Sequence, residues 1–490
     1  MKTDAVEVQL ALVSHTNNGK TTLTRTMLGE DVGEVRDAAH VTIISEAHTL
    51  LSSAEGDVLR LWDTPGFGDS VRLLRRLARS DNPIGWFLRE VLDRFRDRTF
   101  WLSQQALRTA RDAADVVLYL VNASESPEDA GYLDAEMQIL AWLGKPVLVL
   151  LNQIGVPRPA AEEQAECALW GAALGKYPLV REVLPLDAFA RCWVHERVFY
   201  ESIGAVLPPH KAAGYRRLLE TWRTNNVDRF NQAMHLTAAQ LAGAAREREV
   251  VASEDKSLVR SALQAVGIGA NAQQRSQDRA MQALVNRFEL TTVQTTTSLL
   301  ALHKLDPGAA ETINTRVRDN FVVRVPIDER HAGLLGAIVS GATSGVTADL
   351  LAGGLTAGLG TLIGGLVGAV AFAGAARGYN ASTDRNLPTV AFTDPFLRSL
   401  VVTAVLRYLA IIHFGRGRGK FSQSEAPKFW QELVEQAVIP HEASLNKLWK
   451  AVRDANDPVS VAPQIQELVA GITQYTLRHL YPNNSSGSVT

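Results

Sequence analysis

Cysteine is scarce: Cys167 and Cys192 are the two thiols among 490 residues. Two cysteines make no disulfide framework, so a small stapled scaffold is excluded and buried free thiols in a reducing compartment are expected. A surplus of charge of one sign is also missing. Lys and Arg total 50 against 52 Asp and Glu, for a formal net charge of −2. No global field advertises nucleic acid, and only a local basic face would recruit it. The N-terminus lacks the unbroken apolar core of a secretory signal, because the run after Met1-Lys2-Thr3-Asp4 is interrupted by Glu7 and Gln9. Cytoplasmic residence of the N-terminal part is the expectation that follows. With 46% hydrophobic and 21% charged residues, wholesale disorder and a collagen-like fibre are excluded. The length suggests about two to four domains.

Residues 1–207 read as an α/β unit. Val8–Val13, Val58–Trp62, Val116–Val121 and Pro146–Leu151 are short apolar β-rich runs with helical patterns between them. That alternation predicts a mainly parallel sheet with helices on both faces. Residues 71–112 are too long and too Arg-rich for a plain crossover, so a helical insertion is expected there.

Pro208-Pro209 marks a boundary, and residues 208–331 read as polar and helical. Residues 332–376 differ in kind: they are apolar or small throughout, with Asp349 the one formal charge and glycines at 354, 358, 360, 364 and 368. This composition suits a Gly-rich apolar hairpin of two helices. Small-xxx-small spacing lets helix backbones approach closely, so the hairpin has two readings: a membrane contact, or burial in a core or homo-oligomer interface. Residues 377–490 read as helical with a disordered tail. Asp394-Pro395 is a helix start, with Asp as the cap. The apolar run Phe396–Phe414 carries Arg398 and Arg407, which favours a core helix over a span.

The strongest local signal is Ser14-His15-Thr16-Asn17-Asn18-Gly19-Lys20-Thr21. It follows a strand, precedes a helix-compatible run, and matches the phosphate-binding loop G-x-x-x-x-G-K-[ST] with Ser14 in place of the first glycine. Gly19 lets backbone wrap closely around a phosphate, whose oxygens then meet N–H groups at a helix start. Lys20 supplies a point charge to the β- and γ-phosphates, and Thr21 a hydroxyl to Mg2+. About 40 residues on, Asp63-Thr64-Pro65-Gly66 ends a second strand. Asp63 is expected to hold Mg2+ through water, and the Gly66 N–H to meet the γ-phosphate.

Together these motifs resemble the Era and MnmE group of bacterial GTPases. The chain is similar to a bacterial family in which such a G domain is fused to a C-terminal helical domain of unknown function with a Gly-rich apolar segment. The resemblance implies a P-loop NTPase fold, GTP and GDP as ligands, Mg2+, and GTP hydrolysis. The candidate groups around the reacting phosphate are Lys20, Thr42 and Gly66. Those expected to hold the nucleotide are Asn17, Asn18, Gly19, Lys20, Thr21, Thr22 and Asn152, and those near Mg2+ are Thr21, Thr42 and Asp63. Thr42 ends Asp37-Ala38-Ala39-His40-Val41-Thr42, a diverged first switch whose other reading is a strand-edge threonine. Asn17 matches the asparagine that coordinates K+ in MnmE-like proteins; otherwise it makes only backbone hydrogen bonds. Phe67 stands where Ras-like enzymes carry a water-orienting Gln. Asn152-Gln153-Ile154-Gly155 departs from the base-reading pattern N-K-x-D: Gly155 lacks the carboxylate that would accept from guanine, and the charge-assisted bonds it would make are missing.

Three functions compete. The first is a GTPase switch whose helical region engages the inner membrane, peripherally or integrally, or self-assembles. The second is an Era- or MnmE-type RNA or ribosome factor, although both cysteines lie before residue 193, so no C-terminal reactive cysteine is present. The third is a degenerate nucleotide module without turnover, which Ser14, Phe67 and Gly155 favour and Lys20, Thr21 and Asp63 oppose.

Overall fold

The computed structural model describes residues 5–29, 45–79, 81–89, 97–154, 158–186, 193–251, 270–305, 310, 313–314, 370–373, 389–413, 427–454 and 461–481. The apolar runs become strands: β1 (Glu7–Ser14), followed by helix α1 (Lys20–Leu28), then β2 (Glu46–Ser52) and β3 (Val58–Asp63). Among the described residues the Arg-rich stretch gives helices α2 (Ser70–Leu77), α3 (Pro83–Arg89) and α4 (Arg98–Asp112). Then come β4 (Val116–Asn122), α5 (Leu133–Ala141), β5 (Val147–Asn152), α6 (Ala160–Leu174), β6 (Val180–Pro185) and α7 (Trp193–Val206).

The sheet order is β2-β3-β1-β4-β5-β6, with β2 antiparallel to β3 and every other pair parallel. Alternate strand residues feed two apolar layers, as the pleat requires. Ala11, Val13, Val117, Tyr119 and Val149 face α2 to α6. Leu10, Leu12, Leu61, Leu118 and Leu150 face α1 and α7. Register pairs Leu12 with Asp63, Ser14 with Leu120, and Asn122 with Asn152. Parallel pairing therefore delivers Ser14, Asp63 and Asn152 to the carboxyl edge of the sheet, where open α/β sheets bind ligands.

Helix α8 (Ala212–Arg246) belongs to both halves of the molecule. Its first turns place Tyr215, Leu218 and Trp222 against the sheet, and its later turns place Phe230, Met234, Ala238 and Leu241 in a second core. That second core is completed by α9 (Ala270–Leu302), α10 (Asp394–Ile412), α11 (Lys428–Val438), α12 (Glu442–Asp454) and α13 (Ala462–Leu480). A small antiparallel sheet in the order β7-β9-β8 joins it, built from Arg248–Val250, Thr389–Phe392 and Val370–Ala373. Residues 332–369 and 374–376 lie outside the described residues. The expected hairpin is thus represented by residues 370–373 alone, which are strand rather than helix because they pair with β9.

Two further expectations shift in detail. The cap of α10 is Thr393, whose hydroxyl accepts from the Phe396 N–H; Asp394 is the first helical residue and pairs with Arg453 at 2.7 Å. Among the described residues α10 is the one helix long and apolar enough to cross a membrane, yet 72% of its apolar window is buried. Arg407 on it is 3% exposed and donates to Gln240 on α8, while Arg398 pairs with Glu442 at 2.7 Å. Such contacts are those of a core helix.

Candidate nucleotide site

The phosphate loop is shaped by two left-handed residues, Asn17 at φ 69° and Gly19 at φ 85°. Gly19 is required twice over, because a methyl group there would also lie 2.6 Å from Asn152 Nδ2. Asn152 Nδ2 donates to the Asn18 carbonyl at 2.8 Å, and Asn18 Nδ2 donates to the Leu120 carbonyl at 3.1 Å. The base-side strand β5 thus braces the loop from 134 residues away. Gln153, at φ 60°, brings its amide to within 3.9 Å of the same methyl position, so it lies over the loop.

Lys20 opens α1 and is 7% exposed. Its ammonium donates to Ser14 Oγ at 2.8 Å, so the serine that replaces the first motif glycine accepts from the motif lysine. Burial pushes the Lys20 pKa down to about 8, against the pull of Asp63 and Glu136. A desolvated ammonium is favoured by an incoming anion. Thr21 Oγ1 donates to Asp63 Oδ2 at 2.6 Å, and Asp63 Oδ1 is buried with no partner. Burial raises the Asp63 pKa, opposed by the Thr21 hydrogen bond and the charge of Lys20. A buried carboxylate oxygen lacking a donor, beside a threonine hydroxyl, is the donor set a hard divalent cation takes. The residues present therefore fit Mg2+.

The second loop lies directly on the first. Phe67 N–H donates to the Ser14 carbonyl and Thr16 N–H to the Phe67 carbonyl, both at 2.9 Å. Thr16 Oγ1 adds a bond of 2.6 Å to the same carbonyl. A methyl group at Gly66 would lie 2.9 Å from Thr16 Cα and 3.0 Å from Lys20 Nζ, so only glycine permits this approach. The Phe67 ring is fully buried in the α2 to α6 layer and supplies no polar group to the site.

Asn17, Asn18, Gly19, Lys20, Thr21 and Thr22 are therefore brought to one sheet edge with Asp63, Gly66 and Asn152. Asn17 is exposed at the loop crest, and Thr22 is buried in the first turn of α1. Thr42 and Gly155 lie outside the described residues. The sequence reading missed His15, Ser70, Tyr119 and Glu136, which meet beneath the loop. Glu136 carries no motif, and the one signal for it is an acid embedded in the apolar stripe of α5.

Comparison with known families agrees with this geometry. A model described as a 50S ribosome-binding GTPase matches residues 9–153, which run from β1 to the end of β5. The chain thus has an N-terminal P-loop GTPase domain. A second model, a domain of unknown function designated DUF3482, matches residues 178–470. The chain belongs to the DUF3482 family. The DUF3482 match begins before β6 and so takes in the last strand of the sheet as well as the helical core.

Among solved structures, similar chains include Era in complex with MgGDPNP and a 16S ribosomal RNA segment. It is 19% identical, with 42% of this chain and 58% of that one covered and a TM-score of 0.31. A variant of Era from Aquifex aeolicus bound to GDP and AlF4− is 18% identical over 51% and 73% of the two chains, with a TM-score of 0.30. The FeoB G-domain from Methanococcus jannaschii is 16% identical over 37% and 86%, with a TM-score of 0.21. The chain thus spans 58% of the length of the first of these. No curated protein matches the chain.

Proposed function

We propose that this DUF3482 protein is a Mg2+-dependent GTPase whose nucleotide state acts on its own helical region. The observation that carries the reading is the Lys20–Thr21–Asp63 constellation: a desolvated ammonium, a hydroxyl and an unpartnered buried carboxylate oxygen on one phosphate loop. Lys20 and the N–H groups at the start of α1 bind the β- and γ-phosphates. Thr21 and Asp63 would hold Mg2+, which would neutralise charge on the phosphates. Gly66 N–H and Thr42 meet the γ-phosphate. Phe67 leaves water positioning to another group, and a K+ ion at Asn17 would supply the charge that an arginine finger supplies elsewhere. Asn152, with Gln153 over the loop, faces the base side. Helix α8, shared between both cores, is the element through which the G domain reaches the helical region.

Lys20→Ala tests the site. Charge-assisted bonds contribute about 1.5–3 kcal/mol each, so loss of two is expected to weaken Mg·GTP binding by roughly 100-fold or more in a titration calorimeter. A Lys20→Ala chain that binds Mg·GTP as tightly as wild type would show the nucleotide to lie elsewhere.

A further inference from the structure

Beneath the phosphate loop lies a carboxylate that no motif assigns. Glu136, on α5, is 0% exposed. Its Oε1 accepts from His15 Nδ1 at 2.8 Å and from the Ser70 hydroxyl, and its Oε2 accepts from the Tyr119 hydroxyl at 2.6 Å. The donors come from three separate elements. His15 is the second residue of the phosphate loop, Ser70 opens the helix after the second loop, and Tyr119 is the central residue of β4. The His15 ring also stacks on Tyr132, with centroids 4.2 Å apart and planes 11° from parallel. Burial and the negative charge of Glu136 hold the Tyr119 phenol well above its ordinary pKa, so it stays a donor.

We propose that Glu136 is a positioning residue that locks the second nucleotide loop to the phosphate loop, so that Gly66 is held at a fixed distance from Lys20. The inference rests on the reading of these loops as the GTP site. Ser70 lies four residues after Gly66, and His15 sits between Ser14, whose hydroxyl accepts from the Lys20 ammonium, and Thr16, whose N–H donates to the Phe67 carbonyl. One carboxylate thus ties together both loops that flank the γ-phosphate position, through His15 and Ser70. A buried anion with all its donors in place is strongly held, and removal of its charge loosens every partner at once. The part of the site that binds a diphosphate, Gly19 to Thr21 at the start of α1, feels Glu136 through its charge on Lys20, whereas the His15 and Ser70 hydrogen bonds run to the two loops that flank the γ-phosphate position.

The selective prediction is therefore a split between nucleotides. In the full-length chain, Glu136→Gln keeps the side chain's shape and removes its charge. GDP affinity is expected to stay within about threefold of wild type, whereas affinity for a non-hydrolysable GTP analogue and kcat each fall at least tenfold. Ser70→Ala is expected to show the same split more weakly, and Ser70→Thr, which restores the hydroxyl, to recover most of it. These two variants also decide the matter if Glu136→Gln fails to fold. His15→Ala and Ser70→Ala, combined, are expected to be non-additive only while Glu136 is present. Equal loss of GDP and triphosphate affinity, or no loss of either, in a folded variant overturns the positioning role. A wild-type chain that binds neither nucleotide overturns the site reading itself, and this inference with it.

Discussion

At the scale of single residues, the site holds its groups in place by hydrogen bonds and leaves one buried oxygen, Asp63 Oδ1, without a partner. Asp63 illustrates what this does to stability. Its carboxylate is buried, Oδ1 has no donor, and its pKa is raised. A carboxyl group whose folded pKa exceeds its unfolded value makes the fold more stable as pH falls through the raised value, and less stable above it. At neutral pH the charged form is therefore a burden on the nucleotide-free chain, offset by Mg2+ when bound. Asp63→Asn keeps the acceptor for Thr21 and removes the charge. It is expected to raise the melting temperature of the nucleotide-free chain while reducing the Mg2+ dependence of GTP binding by about 10–100-fold, the range for losing a group that orients bound metal through water. Calorimetric melting with and without Mg·GTP reads both changes. A lower nucleotide-free melting temperature would count against the stored burden. Cys167, half-buried with its pKa pushed up to about 11 by burial, is inert by comparison.

At the scale of elements, legibility followed burial. β4 and β5 stood out as unbroken apolar runs because a parallel strand covered on both faces needs apolar residues at every position, and Val8–Val13 and Val58–Trp62 are apolar but for Gln9 and Arg60. β2 and β6 lie at the sheet edges and alternate with polar residues, so Glu46–Ser52 and Val180–Pro185 gave weak signals. β7, β8 and β9 are three or four residues long, too short for any period to register. The phosphate loop and Asp63 were legible because close phosphate approach demands fixed residue types at fixed spacing. Glu136 was not, because its partnership with His15 spans 121 positions and exists only in the folded chain. The cap of α10 was misplaced by one residue: either Thr393 or Asp394 can cap, and the pairing of Asp394 with Arg453 leaves the role to Thr393.

The anchoring of α8 makes an element-scale prediction. Asp57, whose side chain is fully buried, takes a bidentate contact from Arg217 at 2.6 Å and further bonds from Val6 N–H and Ser53 Oγ. These hold its carboxyl at about 2, with the Arg217 hydrogen bonds first among the causes. A depressed carboxylate stabilises the fold above its unfolded pKa, and that contribution is lost as pH falls from about 4 toward 2. Asp57→Asn is expected to destabilise the G domain by about 1.5–3 kcal/mol at pH 7, the range for a hydrogen bond to a charged group, because Arg217 stays partly in water. The difference from wild type is expected to shrink in urea titrations repeated below pH 4. A difference independent of pH would assign the loss to packing instead.

At the scale of the whole molecule, α8 makes one body of two cores. It contributes Trp222 to the sheet side and Phe230 to the helical side, with exposed Thr224 between them. A proline there removes a backbone donor and clashes with the preceding turn, at about 3 kcal/mol or more. In a Thr224→Pro chain, GTP binding is expected to persist while nucleotide-dependent changes in hydrogen exchange across α9 to α13 disappear. Persistence of those changes would show that the halves communicate by another route.

The central claim is a working GTPase in spite of Phe67 and Gly155. Its most direct test is Mg2+-dependent turnover of GTP and ATP by the full-length chain, measured in K+ and in Na+. The expected result is turnover selective for GTP, faster in K+, and abolished by Lys20→Ala. Binding without base preference, or no turnover in either salt, would contradict the claim and leave a nucleotide-binding module that does not cycle.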